Sequence, residues 1–215
     1  MPILRIVEYL NQSERVSAGR HFLATISNCT SHNPEEPAMN ETVQQYVQRI
    51  QGKIAGRDPL RTQSETAKRL SGLLKRGTPA KLKKRPAPEK WSVVEILAHL
   101  ADVEMVTGWR LRSILASPGT SIQAFDQDTW AAAGQYAKRK PRQSLEQFRI
   151  LREANLGLLK SLSPEQWKLF GVHAERGEES IERLTQMIAG HDLNHLEQIE
   201  SILAPKRHAV TLRRR

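Results

Sequence analysis

Cysteine is almost missing from this 215-residue chain: Cys29 stands alone. That excludes an intrachain disulfide, a thiolate-rich metal site and a CxxC redox centre. Long apolar runs are missing too. Nothing approaches the length that crosses a bilayer, and the opening residues 1–8 are too charged for the apolar core of a signal peptide. A cytoplasmic protein without a membrane partner is expected. There is no G-x-S-x-G elbow, no P-loop and no dinucleotide fingerprint. No repeat of fixed period appears. No segment alternates with period two, so no sheet is expected. Asn11, Asn28 and Asn40 each begin an N-x-[ST] sequon; without a secretion signal these read as chance matches.

What is present fits a globular protein: 39% hydrophobic and 26% charged residues, in a chain long enough for one well-packed domain and additional segments. The net charge of +10 raises the question of nucleic acid. Half of that excess sits in residues 205–215, which end Arg213-Arg214-Arg215. Such a tail reads as a solvated terminus, so no nucleic-acid partner is expected. Residues 1–38 read as an N-terminal extension, disordered or outside the native translation product. Met39, followed by the good N-cap Asn40, looks like a natural start; the intact mass of the product of the native gene tests this. Residues 39–57 form an N-terminal helical segment.

From Asp58 the chain reads as helices. Asp58-Pro59 caps the first, which runs to about Arg76 with Leu70, Leu73 and Leu74 inward and stops at Gly77-Thr78-Pro79. A basic, proline-rich connector through Lys83-Lys84-Arg85-Pro86-Ala87-Pro88 should run extended. Ser92 and Glu95 make a capping-box pattern. It opens a helix to about Ser117 whose inward stripe is Ile96, His99, Val103 and Val106. A shorter helix is expected over 126–136. A third long helix should run over 144–162, with Leu145, Phe148, Leu151, Leu158 and Leu162 inward. A short turn at Ser163-Pro164-Glu165 and a last long helix over about 179–204 follow. The fold class is therefore all-α: a four-helix bundle over 58–204, with a long crossover carrying a short helix.

The sharpest motif is His191-Asp192-Leu193-Asn194-His195. Positions i and i+4 share one helical face, and both histidines lie in the apolar stripe Leu184, Ile188, His191, His195, Ile199, Ile202. Two buried imidazoles side by side each need a partner, and one ion would serve both. A pair alone does not complete a site. His99, in the apolar stripe of a second helix, supplies a third neutral ligand and would leave an open position, the pattern of a catalytic site. Zn, Ni, Fe or Mn would each be accommodated. A zinc-protease reading with Asp192 as base fails: Asp reaches less far than Glu, and position 201 is serine where the extended motif needs histidine.

These stretches are similar to one known family. Trp91-Ser92-Val93-Val94-Glu95-Ile96-Leu97-Ala98-His99-Leu100-Ala101-Asp102 resembles the opening of helix two in the DinB-like family, metal-binding four-helix proteins distinct from the DNA polymerase of that name. Residues Phe125–Ala131 (FDQDTWA), Val172–Gly177 (VHAERG) and His191–Ile199 also resemble it, so the likeness covers roughly 58–204. It implies an antiparallel bundle with a divalent metal between helices two and four, held at the positions of His99, His191 and His195. It also implies frequent homodimers, and relatives that are metal-dependent thiol transferases or thiol-dependent isomerases. The expected function is a metal-dependent transferase or hydrolase acting on a small molecule, with a low-molecular-weight thiol or metal-bound water. A non-catalytic metal-binding stress protein and a protein-interaction module are the alternatives.

Further candidates surround that site. Glu95, one turn before His99, could accept an imidazole N–H or simply serve its capping box. Asn155 interrupts an apolar stripe and could face the cavity. Trp130 and Tyr136 could line its mouth. His173 could reach the site from its loop. Arg110 and Arg152 could hold an acidic cosubstrate, although exposed helix positions are expected for both.

Overall fold

The computed structural model describes residues 41–205; the expectations for residues 1–38 and for nearly all of the basic tail lie outside the described residues. Helix α1 (Val43–Ile54) begins at a capping box formed by Thr42 and Gln45. Asp58 caps α2 (Pro59–Arg76) by accepting from the Leu60 and Arg61 amides, and proline takes the first helical position, where its missing N–H costs nothing. The connector is partly helical: Thr78 caps a short α3 (Pro79–Lys83) that buries Leu82. The expected Ser92–Glu95 capping box opens α4 (Val93–Ala116). Between α4 and α6 (Pro141–Lys160) lie a two-residue strand β1 (Ser121–Ile122), a short α5 (Gln127–Ala133) and a 3-10 turn at Tyr136–Lys138. After α6 come α7 (Pro164–Trp167), β2 (Phe170–His173), β3 (Gly177–Ser180) and α8 (Ile181–Leu203).

The long helices α2, α4, α6 and α8 form the bundle, and α1 lies along α8. Side-chain pairs fix their directions. Gln63, Thr66 and Arg69 of α2 meet Thr185, Asp192 and Glu200 of α8 in rising order, so these two helices run parallel. The α4/α8 pair is antiparallel. Val93 to Leu100 share a core cluster with Leu193 to Leu203, whereas Leu111 and Ile114 share one with Ile181 and Leu184. Arg139, just before α6, pairs with Asp102, and Arg152 within α6 pairs with Glu104; α4 and α6 therefore run the same way. The long crossover over 117–140 makes this possible by returning the chain to the starting end of α4.

Two expectations need correcting. A small three-stranded sheet exists, with β1 parallel to β2 and β2 antiparallel to β3. Its strands are two to four residues long, too short for a period-two pattern to register. They pair the backbone groups of the α6–α8 connection with those of the crossover. The inward face of α6 is also rotated from the leucine stripe. Phe148, Arg152, Asn155, Leu156 and Leu159 are buried, whereas Leu145, Leu151 and Leu158 are only partly covered. Polar residues with internal partners displace the expected leucines.

Candidate metal centre

Helix α4 is buried through most of its first three turns, so His99 is held at 1% exposure with no access of its own to solvent. The antiparallel crossing of α4 and α8 brings it to the level of His191 and His195, which are 9% and 6% exposed. The three imidazoles offer ligand nitrogens that all lie within 4.8 Å of one another. His191 Nε2 is 3.1 Å from His99 Nε2 and 3.1 Å from His195 Nε2. Burial, with the neighbouring imidazoles adding to it, holds all three well below the ordinary 6.5. They are neutral at pH 7, and each has one lone pair to give.

Hydrogen bonding among the rings does not satisfy this cluster. An imidazole nitrogen carries either a proton or a lone pair, so His191 Nε2 can bond to one of its two neighbouring rings but not to both. Whatever the tautomer, Nδ1 of His99 and Nδ1 of His191 remain buried without a partner among the described residues. A cation accepts all three Nε2 lone pairs at once. The 3.1 Å separations are close to the edge of roughly 3.3 Å expected for tetrahedral nitrogen ligands about 2.0–2.1 Å from zinc. The donor set therefore fits a divalent ion, and imidazole suits Zn, Fe or Ni.

The surroundings orient the rings. His195 Nδ1 lies 2.8 Å from Gln198 Oε1; an Nδ1–H donating there leaves the Nε2 lone pair facing its two neighbours. The Trp91 ring packs on His99 with centroids 4.8 Å apart. Beside the ligands, Asp192 accepts from Arg152 at 2.6 and 3.0 Å and from Thr66 at 2.9 Å. Arg152 also donates to Glu104 at 2.7 Å. This buried node joins all four bundle helices one residue from His191. A cavity of about 610 Å³ opens on His191 and His195, walled by Tyr46, Arg49, Trp91 and Asn194 among others.

His99, His191 and His195 thus come together; the other candidates do not join them. Glu95 is committed to its capping box and to Arg85. Asn155 donates to the Glu104 backbone and side chain. Trp130 packs on Phe125 and lines a separate cavity of about 680 Å³. His173 lies in β2 and accepts from the Glu175 amide. Tyr136 is buried rather than at a cavity mouth, donating to Asp102 at 2.7 Å. Arg110 and Arg152 are buried, not exposed: Arg110 donates to the Gln123 carbonyl, and Arg152 lies among carboxylates. Sequence reasoning missed Gln198, Trp91 and Arg49. Gln198 was findable, three residues past His195 on the same face; Arg49 sits on a helix whose docking no motif announces.

The model of the DinB superfamily matches residues 61–199. A protein of Oceanobacillus iheyensis, provisionally named a metal-dependent hydrolase, is 30% identical over 117 residues, which are 54% of this chain and 67% of that protein. A second protein of that organism, named in the same way, is 26% identical over 114 residues, 53% of this chain and 65% of its own length. The chain thus spans about two thirds of each relative. The solved structure of YfiT from Bacillus subtilis, provisionally described as a metal-dependent hydrolase with an unusual four-helix bundle topology, matches with a TM-score of 0.63. It is 20% identical, and the match covers 78% of this chain and 90% of that one; this is a likeness of fold.

Proposed function

The chain belongs to the DinB superfamily, and from that premise we propose that it is a divalent-metal-dependent hydrolase whose ion is held by His99, His191 and His195. The observation that carries this is the convergence of three buried, neutral imidazoles, with nitrogens within 4.8 Å of one another, at the wall of an open cavity. A divalent ion in such a site supplies Lewis acidity, lowering the pKa of a water or thiol into the neutral range. The chain's residues supply the rest. Gln198 sets the tautomer of His195. Trp91 shields His99 from water. The Arg152–Asp192 pair holds the rotation of α8 that aims His191. The names carried by the Oceanobacillus relatives favour hydrolysis. A transferase using a low-molecular-weight thiol would use the same three ligands; no cysteine lies among the described residues, so that thiol would arrive as a cosubstrate.

Metal analysis of the purified chain is the first test, with about one equivalent of Zn, Ni, Fe or Mn expected per chain and loss of it in His191→Ala. The loaded protein is then assayed on a panel of esters, amides and electrophiles, with and without small thiols. Thiol-independent turnover establishes the hydrolase, and thiol-dependent consumption the transferase. A protein that refuses every divalent ion refutes the reading, and tight binding without turnover leaves the non-catalytic metal protein.

A further inference from the structure

Helix α1 lies outside the stretch matched by the family model, residues 61–199, yet it forms one wall of the cavity beside the histidines. Its seat is close. At Gly190, next to His191, an added Cβ would lie 2.2 Å from the Ile50 carbonyl oxygen. Ile50 is fully buried, so α1 is fixed on the turn that carries the ligands. From this seat Arg49 reaches into the cavity wall. Its Nη1 donates to Asn194 Oδ1 at 2.8 Å, and Asn194 directly precedes His195. Its other edge makes a two-pronged bond to a carboxylate, Nε to Glu41 Oε1 at 2.7 Å and Nη2 to Glu41 Oε2 at 2.8 Å. This is the fork geometry in which a guanidinium recognises carboxylates. The Tyr46 ring backs the guanidinium at 5.4 Å.

Resting on the metal-centre reading above, we propose that Arg49 is a carboxylate anchor for the substrate or cosubstrate, and that Glu41 occupies the anchor in its idle state. The energetics allow exchange. Glu41 and Arg49 side chains are 37% and 42% exposed, and ion pairs so exposed are weak because solvent screens them, so a ligand held at a second point can displace Glu41. The Asn194 contact keeps the guanidinium oriented during the exchange. Charge balance agrees. The cavity's other charged side chains are Lys90, Glu89 and Asp128, and with Arg49 the four cancel. Once Glu41 swings away, the charge of the divalent ion favours an anion. Arg49 is thus a specificity residue, contributed by an element that the family match does not include.

The test uses two probes of equal length, 3-mercaptopropionate and the neutral 3-mercapto-1-propanol, titrated into cobalt-substituted protein and followed by the thiolate-to-cobalt absorption. The carboxylate probe should bind at least tenfold tighter. Arg49→Gln should erase that preference while cobalt content stays the same. Glu41→Gln should tighten the carboxylate probe several-fold and leave the neutral one unchanged. In parallel, succinate is titrated into metal-free protein and the Arg49 Nε–H resonance is followed by NMR; this resonance should shift and saturate. Failure to take up cobalt with a saturable Arg49 shift sinks the metal reading and keeps the anchor. Equal affinity for both thiols, or a preference that survives Arg49→Gln, or an Arg49 resonance that ignores succinate, overturns the anchor.

Discussion

Among single residues, Arg152 bears the largest stake. Its guanidinium and both partner carboxylates are essentially inaccessible, and removing one member of such a pair strands a buried charge. Arg152→Met should cost about 3–5 kcal/mol, measured by urea denaturation, because two carboxylates then lose their counter-charge. The ligands behave differently. In the metal-free protein His99→Ala removes one of three crowded imidazoles and a buried Nδ1 that has no partner among the described residues. Metal affinity should collapse in this variant while the apo form stays folded; equilibrium dialysis and circular dichroism separate the two effects. At this scale the sequence was uneven. The histidines were legible because i, i+4 spacing on an apolar stripe is a one-dimensional signal. The burial of Arg152 and Arg110 was not, because an arginine's partners lie on other helices.

Among elements, the contact of α1 with α8 turns on Gly190. Gly190→Ala puts a methyl group 2.2 Å from the Ile50 carbonyl oxygen and 2.9 Å from Ile50 Cγ2, and backbone cannot step aside as a side-chain tip can. The helices must separate, at about 1–3 kcal/mol for overpacking. Hydrogen exchange should quicken across Val43–Ile54 while the α4 amides remain protected. Caps and stops made most element ends readable: Asp58, Ser92 and the Ser163 turn all serve as expected. The start of α6 was not, since Lys140 provides no side-chain cap and Pro141 at the first turn marks the entry instead. The strands were hidden for another reason. They exist because chain segments far apart in sequence meet, β1 beside β2, and no local pattern records that meeting.

For the whole molecule, acid should be the weak side. The three histidines are held well below 6.5 by burial. The unfolded chain therefore takes up protons first, and stability falls wherever it binds more of them. The contribution of these groups is complete above about 6.5 and is lost as pH falls toward the depressed folded values. Thermal melts of metal-free protein should show a falling midpoint below pH 6.5. A bound ion, which competes with protons for the same Nε2 atoms, should raise the midpoint at neutral pH by mass action, and chelator should reverse the gain.

What the sequence determined by itself is what periodicity and spacing can carry: four long amphipathic helices, the caps at Asp58 and Ser92, and the three histidines on inward faces. Each of these rests on contacts within one or two helical turns. Tertiary structure decided the rest. It chose the parallel pairing of α4 with α6 and of α2 with α8, by returning the crossover to one end of the bundle. It drew Arg152, Asp192, Glu104 and Asn155 from three helices into one buried node. It closed the histidine cavity with α1 and Arg49, and it kept Trp130, Asn155 and His173 away. Such outcomes depend on which faces meet across the bundle, and a one-dimensional pattern holds no distance between helices.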